Sequence, residues 1–237
     1  MTAGHYELPN RIIESQEVVM NVSQAVAERS SIRAFTDQAV ETSLLKELLE
    51  KSARAPSGGN VQPWRIYLLN DEVMARFKAF CQTRSAPEQP AYDIYPPGLT
   101  EPYRSSRFKV GEDMYALLGI AREDKGGRIK RLMENYQFFG APAGFFCYID
   151  KQMGPPQWSD LGMFLQTFML LAQEAGLATC AQEAWATRPE TVGSFVKAPE
   201  ELMLFCGMAI GYKDPDAPVN QLVSDRAAFT DFATIVE

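Results

Sequence analysis

The chain has 237 residues, enough for one large domain or two small ones around a substantial apolar core. With 23 basic and 30 acidic residues it carries a formal net charge of −7, which argues against a nucleic-acid partner, since that needs clustered positive charge. A single histidine, His5, leaves little room for Ser-His-Asp or Cys-His catalysis or for zinc held by several histidines. Chemistry on this chain is therefore expected from a bound cofactor or from carboxylates.

Residues 1–20 mix polar and charged side chains without an apolar core, so no secretory leader is expected. Residues 18–29 place apolar side chains at helical spacing and predict a helix ending near Ser30-Ser31. Residues 41–54 predict a clearer amphipathic helix, with Thr42 or Ser43 as its cap. Ala55-Pro56-Ser57-Gly58-Gly59-Asn60 then breaks the helix, and residues 64–69 alternate like a strand. A helix is predicted over 71–82.

Residues 85–103 contain five prolines, the mark of a lid, a partner-contacting loop or a mobile segment. Helices follow over 104–122 and 129–139, a buried strand over 144–149, and a long helix over 160–176. That last helix is apolar on nearly all sides, which places it in the core or at a subunit interface. Its most apolar part, 161–172, is too short to span a bilayer and contains Gln166, so no membrane partner is expected. A second buried strand is predicted over 202–212, followed by a turn-rich tail over 213–237.

Cys81, Cys147, Cys180 and Cys206 form no CxxC pair, so neither a metal knuckle nor a redox dithiol is supported. Cys147 and Cys206 read as small buried hydrophobes, and a reducing cytoplasm is the expected compartment. Helices outnumber strands and separate them, which fits one mixed sheet covered by helices on both faces, a single domain over 1–237.

Four segments carry candidate chemistry. In Arg29-Ser30-Ser31-Ile32-Arg33, two guanidinium forks and the hydroxyls between them suit a phosphate, although a basic pair at a helix end also compensates the helix dipole. In Pro56-Ser57-Gly58-Gly59-Asn60-Val61-Gln62-Pro63-Trp64, glycines allow close approach to a flat ligand, and Ser57, Asn60 and Gln62 offer hydrogen bonds to a heterocycle. The same residues also make an ordinary helix-to-strand turn. Leu177 to Trp185 follows the long helix with small residues that leave backbone N–H groups open, and residues 220–226 bring Arg226 within reach of an anion.

Together these segments resemble the FMN-dependent nitroreductases, whose pattern runs RSxR, PSxxNxQPW, an apolar helix followed by GLxT and a QE pair, and an arginine near the C-terminus. The likeness covers about residues 22–230, and the PSGGNVQPW stretch is its most specific part. Residues 101–122 look like the longer subgroup that reduces nitroaromatics. The resemblance implies an α+β fold, a three-layer α/β/α sandwich with a mixed, mainly antiparallel sheet, built as an intertwined homodimer with two FMN sites at the interface. It implies that Arg29, Ser30, Ser31 and Arg33 hold the phosphate, ribityl chain and N1/O2 side of FMN, with Arg226 joining Arg29. Ser57, Gly58, Asn60 and Gln62 would come from the second subunit. Residues 181–184, including Gln182, Glu183 and Ala184, would lie beside the ring, a backbone N–H near N5.

Ser30 and Ser224 depart from relatives that carry basic residues there, which would leave the phosphate site less positive. The implied reaction is ping-pong reduction of nitroaromatics to hydroxylamines by NADPH or NADH, with Arg33 as electrostatic stabiliser and no obligatory side-chain acid or base. Residues 85–110 are the expected substrate lid, with Tyr92, Tyr95, Tyr103, Arg104 and Arg107 its candidate contacts, and 213–237 is expected to reach the partner. Quinone or enone reduction, reductive dehalogenation, flavin destruction, or non-catalytic flavin binding on the same scaffold are the alternatives.

Overall fold

In the computed structural model, which describes residues 20–237, four strands form the sheet: β1 (Arg65–Asn70), β2 (Ala143–Asp150), β3 (Ala178–Gln182) and β4 (Leu202–Gly211). Their order is β1-β2-β4-β3, and every pair is antiparallel. His5, most of the segment read for a leader, and the first positions of the helix predicted over 18–29 lie outside the described residues. A single parallel bridge, Ser31 to Thr179, extends the sheet beyond β3 and makes it mixed at that margin.

The sheet divides two cores because successive side chains point to opposite faces. Phe145, Cys147 and Ile149 of β2 join Cys206, Met208 and Ile210 of β4 under α2 (Thr42–Ser52) and α6 (Pro155–Glu174). Phe146, Tyr148, Leu204 and Ala209 face the other way, with Phe77 of α3 (Asp71–Gln82), Phe138 and Trp185. Burial on both faces explains why β2 and β4 read as continuous apolar runs. Helices cover both faces, giving the three-layer α+β sandwich. α1 (Val22–Glu28) packs beside α6.

Several predicted elements are corrected. Neither Thr42 nor Ser43 caps α2: Glu41 stands at the cap without a side-chain bond, and Thr42 Oγ1 instead accepts from Asn70 Nδ2 at 3.0 Å. The long helix begins earlier than predicted, at Pro155, because proline suits a first turn where its missing N–H costs nothing. The helix predicted over 104–122 is α4 (Tyr103–Leu117) and stops ahead of Gly119, whose φ is +64°. The helix predicted over 129–139 is α5 (Lys125–Met133), capped by Asp124, followed by a 3-10 turn over Glu134–Gly140. Inside that turn Phe138 and Phe139 adopt φ of +52° and +53°, which the burial of both rings against Trp185 and Arg131 stabilises.

Neither β3 nor α7 (Pro189–Val196) was expected from the periodicity. The tail carries a short helix, α8 (Phe229–Phe232). No helix of the described residues is long and apolar enough to cross a membrane.

Candidate functional site

Residues 31–36 cross the open end of the sheet between β3 and the end of β4. Ile32 N donates to Thr179 O at 3.0 Å, and Thr36 N to Tyr212 O at 2.9 Å. Extended backbone there sends Ile32 inward, where it is buried, and turns Ser31 and Arg33 to the opposite face. Two buried side chains then fix the Arg33 backbone. Asn220, 6% exposed, accepts from Arg33 N at 2.8 Å and donates to Ala34 O at 2.8 Å and Asp214 O at 2.9 Å. Arg131, 7% exposed, donates to Arg33 O at 3.0 Å while paired with Glu134 and lying over the Phe139 ring. Burial pushes the Arg131 guanidinium down from its ordinary value, and Glu134 opposes that shift. The sequence reading missed Arg131, and named Asn220 only as the first residue of a tail. A buried amide and a buried arginine leave no periodic signature.

Two clefts open on either side of Arg33. The first, about 620 Å³, is lined by Arg29, Ser30, Ser31, Arg33, Lys213 and Arg226 among others. Arg29 closes α1, its backbone N–H donating to Ala25 O. Arg226 reaches the same cleft from the tail, with its guanidinium donating to the Ser224 hydroxyl and to backbone oxygens. Among the described residues no carboxylate forms an ion pair with Arg29, Arg33, Lys213 or Arg226, and Glu28 is the only acid in the lining. In a chain of net charge −7 this is a concentrated positive site with serine donors, the donor set a phosphate needs. Lys213 was not anticipated.

The second cleft, about 510 Å³, is lined by Arg33, Tyr92, Tyr95, Arg107, Leu132, Asn135 and the 180–184 segment. Its floor is held by Trp185, fully buried against Phe77, Phe138 and Phe146. Gly207 of β4 makes this possible, since a Cβ there would lie 2.3 Å from the indole. The Gln182 side chain is spent inside the protein, accepting from Trp185 Nε1 at 3.3 Å and donating to Asn135 O at 2.8 Å. Its amide is therefore engaged within the protein, while the residue itself lines the cleft. Glu183 and Ala184 begin a 3-10 turn whose first N–H groups lack helical acceptors. Glu183 lies at the rim, and partial burial raises its carboxyl above the ordinary range.

Tyr92 is a fixed wall of this cleft. β4 has a bulge opposite Cys147 and Tyr148 that leaves Phe205 outside the register, and the Tyr92 hydroxyl donates to the Phe205 carbonyl. Burial pushes the Tyr92 phenol up. Tyr95 carries the Arg107 guanidinium 3.9 Å above its ring.

Tyr103 and Arg104, also expected at the substrate, are not brought to the second cleft. Tyr103 is 65% exposed at the start of α4, and Arg104 points into an adjoining cleft, paired with Glu101. Ser57, Gly58, Asn60 and Gln62 line neither cleft. They form a separate loop near the start of α6, where Asp160 accepts weakly from Gly58 N and Ser57 Oγ accepts from Gln62 N at 3.0 Å. Asn60 and Gln62 have φ of 56° and 49° there.

The Nitroreductase family model matches residues 26–212, and the chain belongs to that family. It is 35% identical over 202 residues to the 4-nitrobenzoate reductase of Pseudomonas putida, covering 85% of this chain and 89% of that protein. It is 31% identical over 219 residues to the nitrobenzene nitroreductase of Ectopseudomonas oleovorans, covering 91% and 96%. The crystal structure of the FMN and NADPH-dependent nitroreductase NfnB from sphigopyxis sp. strain HMH superposes with a TM-score of 0.88 at 44% identity, covering 92% of this chain and 99% of that one.

Proposed function

We propose that this chain is an FMN enzyme that uses NAD(P)H to reduce nitroaromatic compounds in two-electron steps, through nitroso, to hydroxylamines. Two curated relatives are named for nitrobenzoate and nitrobenzene reduction, and the structural relative is named for FMN and NADPH dependence. The observation that carries the reading is Arg33, which lines both a cationic cleft and a flat aromatic one. A molecule with a phosphate at one end and a planar ring at the other fits that pair of clefts, and FMN is such a molecule.

When bound, FMN supplies the redox chemistry, carrying two electrons per turn from NAD(P)H to a nitro group. Arg29, Arg226 and Lys213 hold its phosphate, with Ser30 and Ser31 as neutral donors. Arg33 supplies positive charge between phosphate and ring, where a partly dry site strengthens its stabilisation of developing negative charge. Residues 181–184 present the backbone to the ring, and Tyr92 and Tyr95 wall the space above it. Neither Glu183 nor any histidine is required as a proton donor.

The working unit in this proposal is a homodimer. Ser57, Gly58, Asn60 and Gln62 come from the second copy, a reading supported by their separation from both clefts of their own chain. Exposed Phe229, Phe232, Ile235 and Val236 in the tail suit a reach onto the partner. We treat 1–237 as one domain. Four free, buried cysteines support a reducing cytoplasm as its compartment.

The test is anaerobic spectroscopy on purified protein loaded with FMN. NADPH should bleach the yellow absorbance, and nitrobenzene should restore it with phenylhydroxylamine as product. Bleaching that only a quinone or an enone reverses would move the substrate class. Bound flavin that NADPH and NADH leave unbleached would make this a flavin-binding protein without the activity.

A further inference from the structure

We propose that the cleft between residues 96–101 and the helices α4 and α5 receives the anionic adenosine-phosphate arm of the dinucleotide donor, gripped by Arg107 and Arg104. The inference rests on the function proposed above. A nicotinamide that reaches the ring cleft must leave the rest of its molecule somewhere continuous with it. This cleft, about 790 Å³, shares Arg107 with the ring cleft and is the larger of the two. Between residues 103 and 131 the sequence carries eight basic and four acidic residues, the reverse of the overall balance.

The three arginines of the cleft differ in how freely they can take a phosphate. Arg128 is locked in a bidentate pair with Glu112 at 2.5 and 2.9 Å and stacks 4.2 Å from the Tyr115 ring, so it is wall. Arg107 holds its guanidinium carbon 3.9 Å over the Tyr95 ring and has no carboxylate partner among the described residues. Stacking fixes the plane of a guanidinium while leaving its in-plane N–H groups open to a phosphate. Arg104 pairs with Glu101 at 2.8 Å, but both side chains are mostly exposed, at 70% and 50%. Such a pair is weak enough for a doubly charged phosphate to displace the carboxylate. Arg107, at the junction of the two clefts, therefore meets the diphosphate that NADH and NADPH share. Arg104, further out, meets the 2′-phosphate that only NADPH carries, and this assigns the chain a preference for NADPH.

The experiment is calorimetric titration of the FMN-loaded protein with adenosine 2′,5′-bisphosphate and, separately, with ADP. Arg107→Gln should weaken both about 10- to 100-fold, the worth of one charge-assisted hydrogen bond. Arg104→Gln should weaken only the bisphosphate, and Arg122→Gln, outside the cleft, should change neither. Equal binding by Arg107→Gln and the wild type would overturn the proposal. So would a loss confined to carboxylated nitroarenes, which would make Arg107 a contact for the oxidising substrate instead. The same preparations are mixed anaerobically with NADPH and with 1-benzyl-1,4-dihydronicotinamide, a donor without phosphate. If wild-type protein fails to bind the bisphosphate while both donors bleach the flavin, the location of the arm alone is wrong. If neither donor bleaches it, the proposed function itself is wrong.

Discussion

The two sides of the candidate site are built by opposite means. On the side of the cationic cleft, residues 31–36 are held through their backbone, with Thr179, Tyr212, Asn220 and Arg131 supplying partners for the N–H and C=O groups around Arg33. On the excursion side, Arg104, Arg107 and Arg128 project from helices and find their partners among side chains, two of them in ion pairs and one on an aromatic ring. A clamp for a resident cofactor calls for one geometry, which buried hydrogen bonds enforce. A surface that admits and releases a ligand each turn calls for groups that open at little cost, which Arg104 and Arg107 provide beside the locked Arg128.

The largest effect expected from this contrast is at Asn220. Asn220→Leu keeps a branched side chain but leaves Arg33 N and Asp214 O without that partner, while Ala34 O keeps the Asp214 N–H at 3.2 Å. Each group so orphaned costs about 1–3 kcal/mol, so unfolding by urea should lose about 2 kcal/mol or more. An unchanged midpoint would mean the stitched backbone is no stiffer than the excursion.

Arg33→Ala comes next, and acts on the cofactor more than on the fold. Loss of one charge-assisted hydrogen bond, about 1.5–3 kcal/mol, should raise the FMN dissociation constant roughly tenfold to over a hundredfold. Fluorescence titration reads this directly, and an unchanged constant would remove Arg33 from the site.

Arg131→Met sharpens the comparison by setting the fold against the cofactor. It leaves Arg33 O without a partner, which should cost about 1–3 kcal/mol in unfolding by urea, while Glu134, 42% exposed, stays solvated. FMN affinity should still fall several-fold because Arg33 loses a backbone anchor, whereas Arg131→Lys should recover part of it. Equal affinity in all three proteins would leave Arg131 a structural residue only.

The smallest effect is at Glu183. Partial burial raises its carboxyl above the usual 4.5, so the folded chain holds this proton more tightly than the unfolded one. Its contribution to stability therefore declines as pH rises from 4.5 through the raised value and is level beyond it. Glu183→Gln should flatten that decline in a pH series of thermal unfolding. A steeper slope in the variant would contradict the assignment.

Much of the fold was legible because burial writes itself into the sequence. The apolar runs at 144–149 and 202–212 became central strands, and the long apolar helix became one wall of the core. β3 was not legible, since four small side chains followed by Gln182 carry no apolar alternation, and its pairing with β4 is a long-range fact. Phe138 and Phe139 misled for the opposite reason, because an adjacent apolar pair that continues a helical pattern hides a left-handed backbone. Within the site, arginines and serines stood out by their chemistry. Asn220 and Arg131 did not, because a positioning residue is defined by what it reaches across 187 and 98 residues of chain. Within the expected lid, Tyr92 is tied to the bulged carbonyl of Phe205, a contact across 113 residues of chain that leaves no local signature.

A crystal structure of the flavin-loaded protein tests the central claim most directly. It should place the FMN phosphate among Arg29, Lys213 and Arg226, Arg33 between phosphate and ring, and the 57–62 loop of a second copy against the isoalloxazine. Flavin bound elsewhere, or a phosphate that leaves Arg29 and Arg226 in solvent, would contradict it.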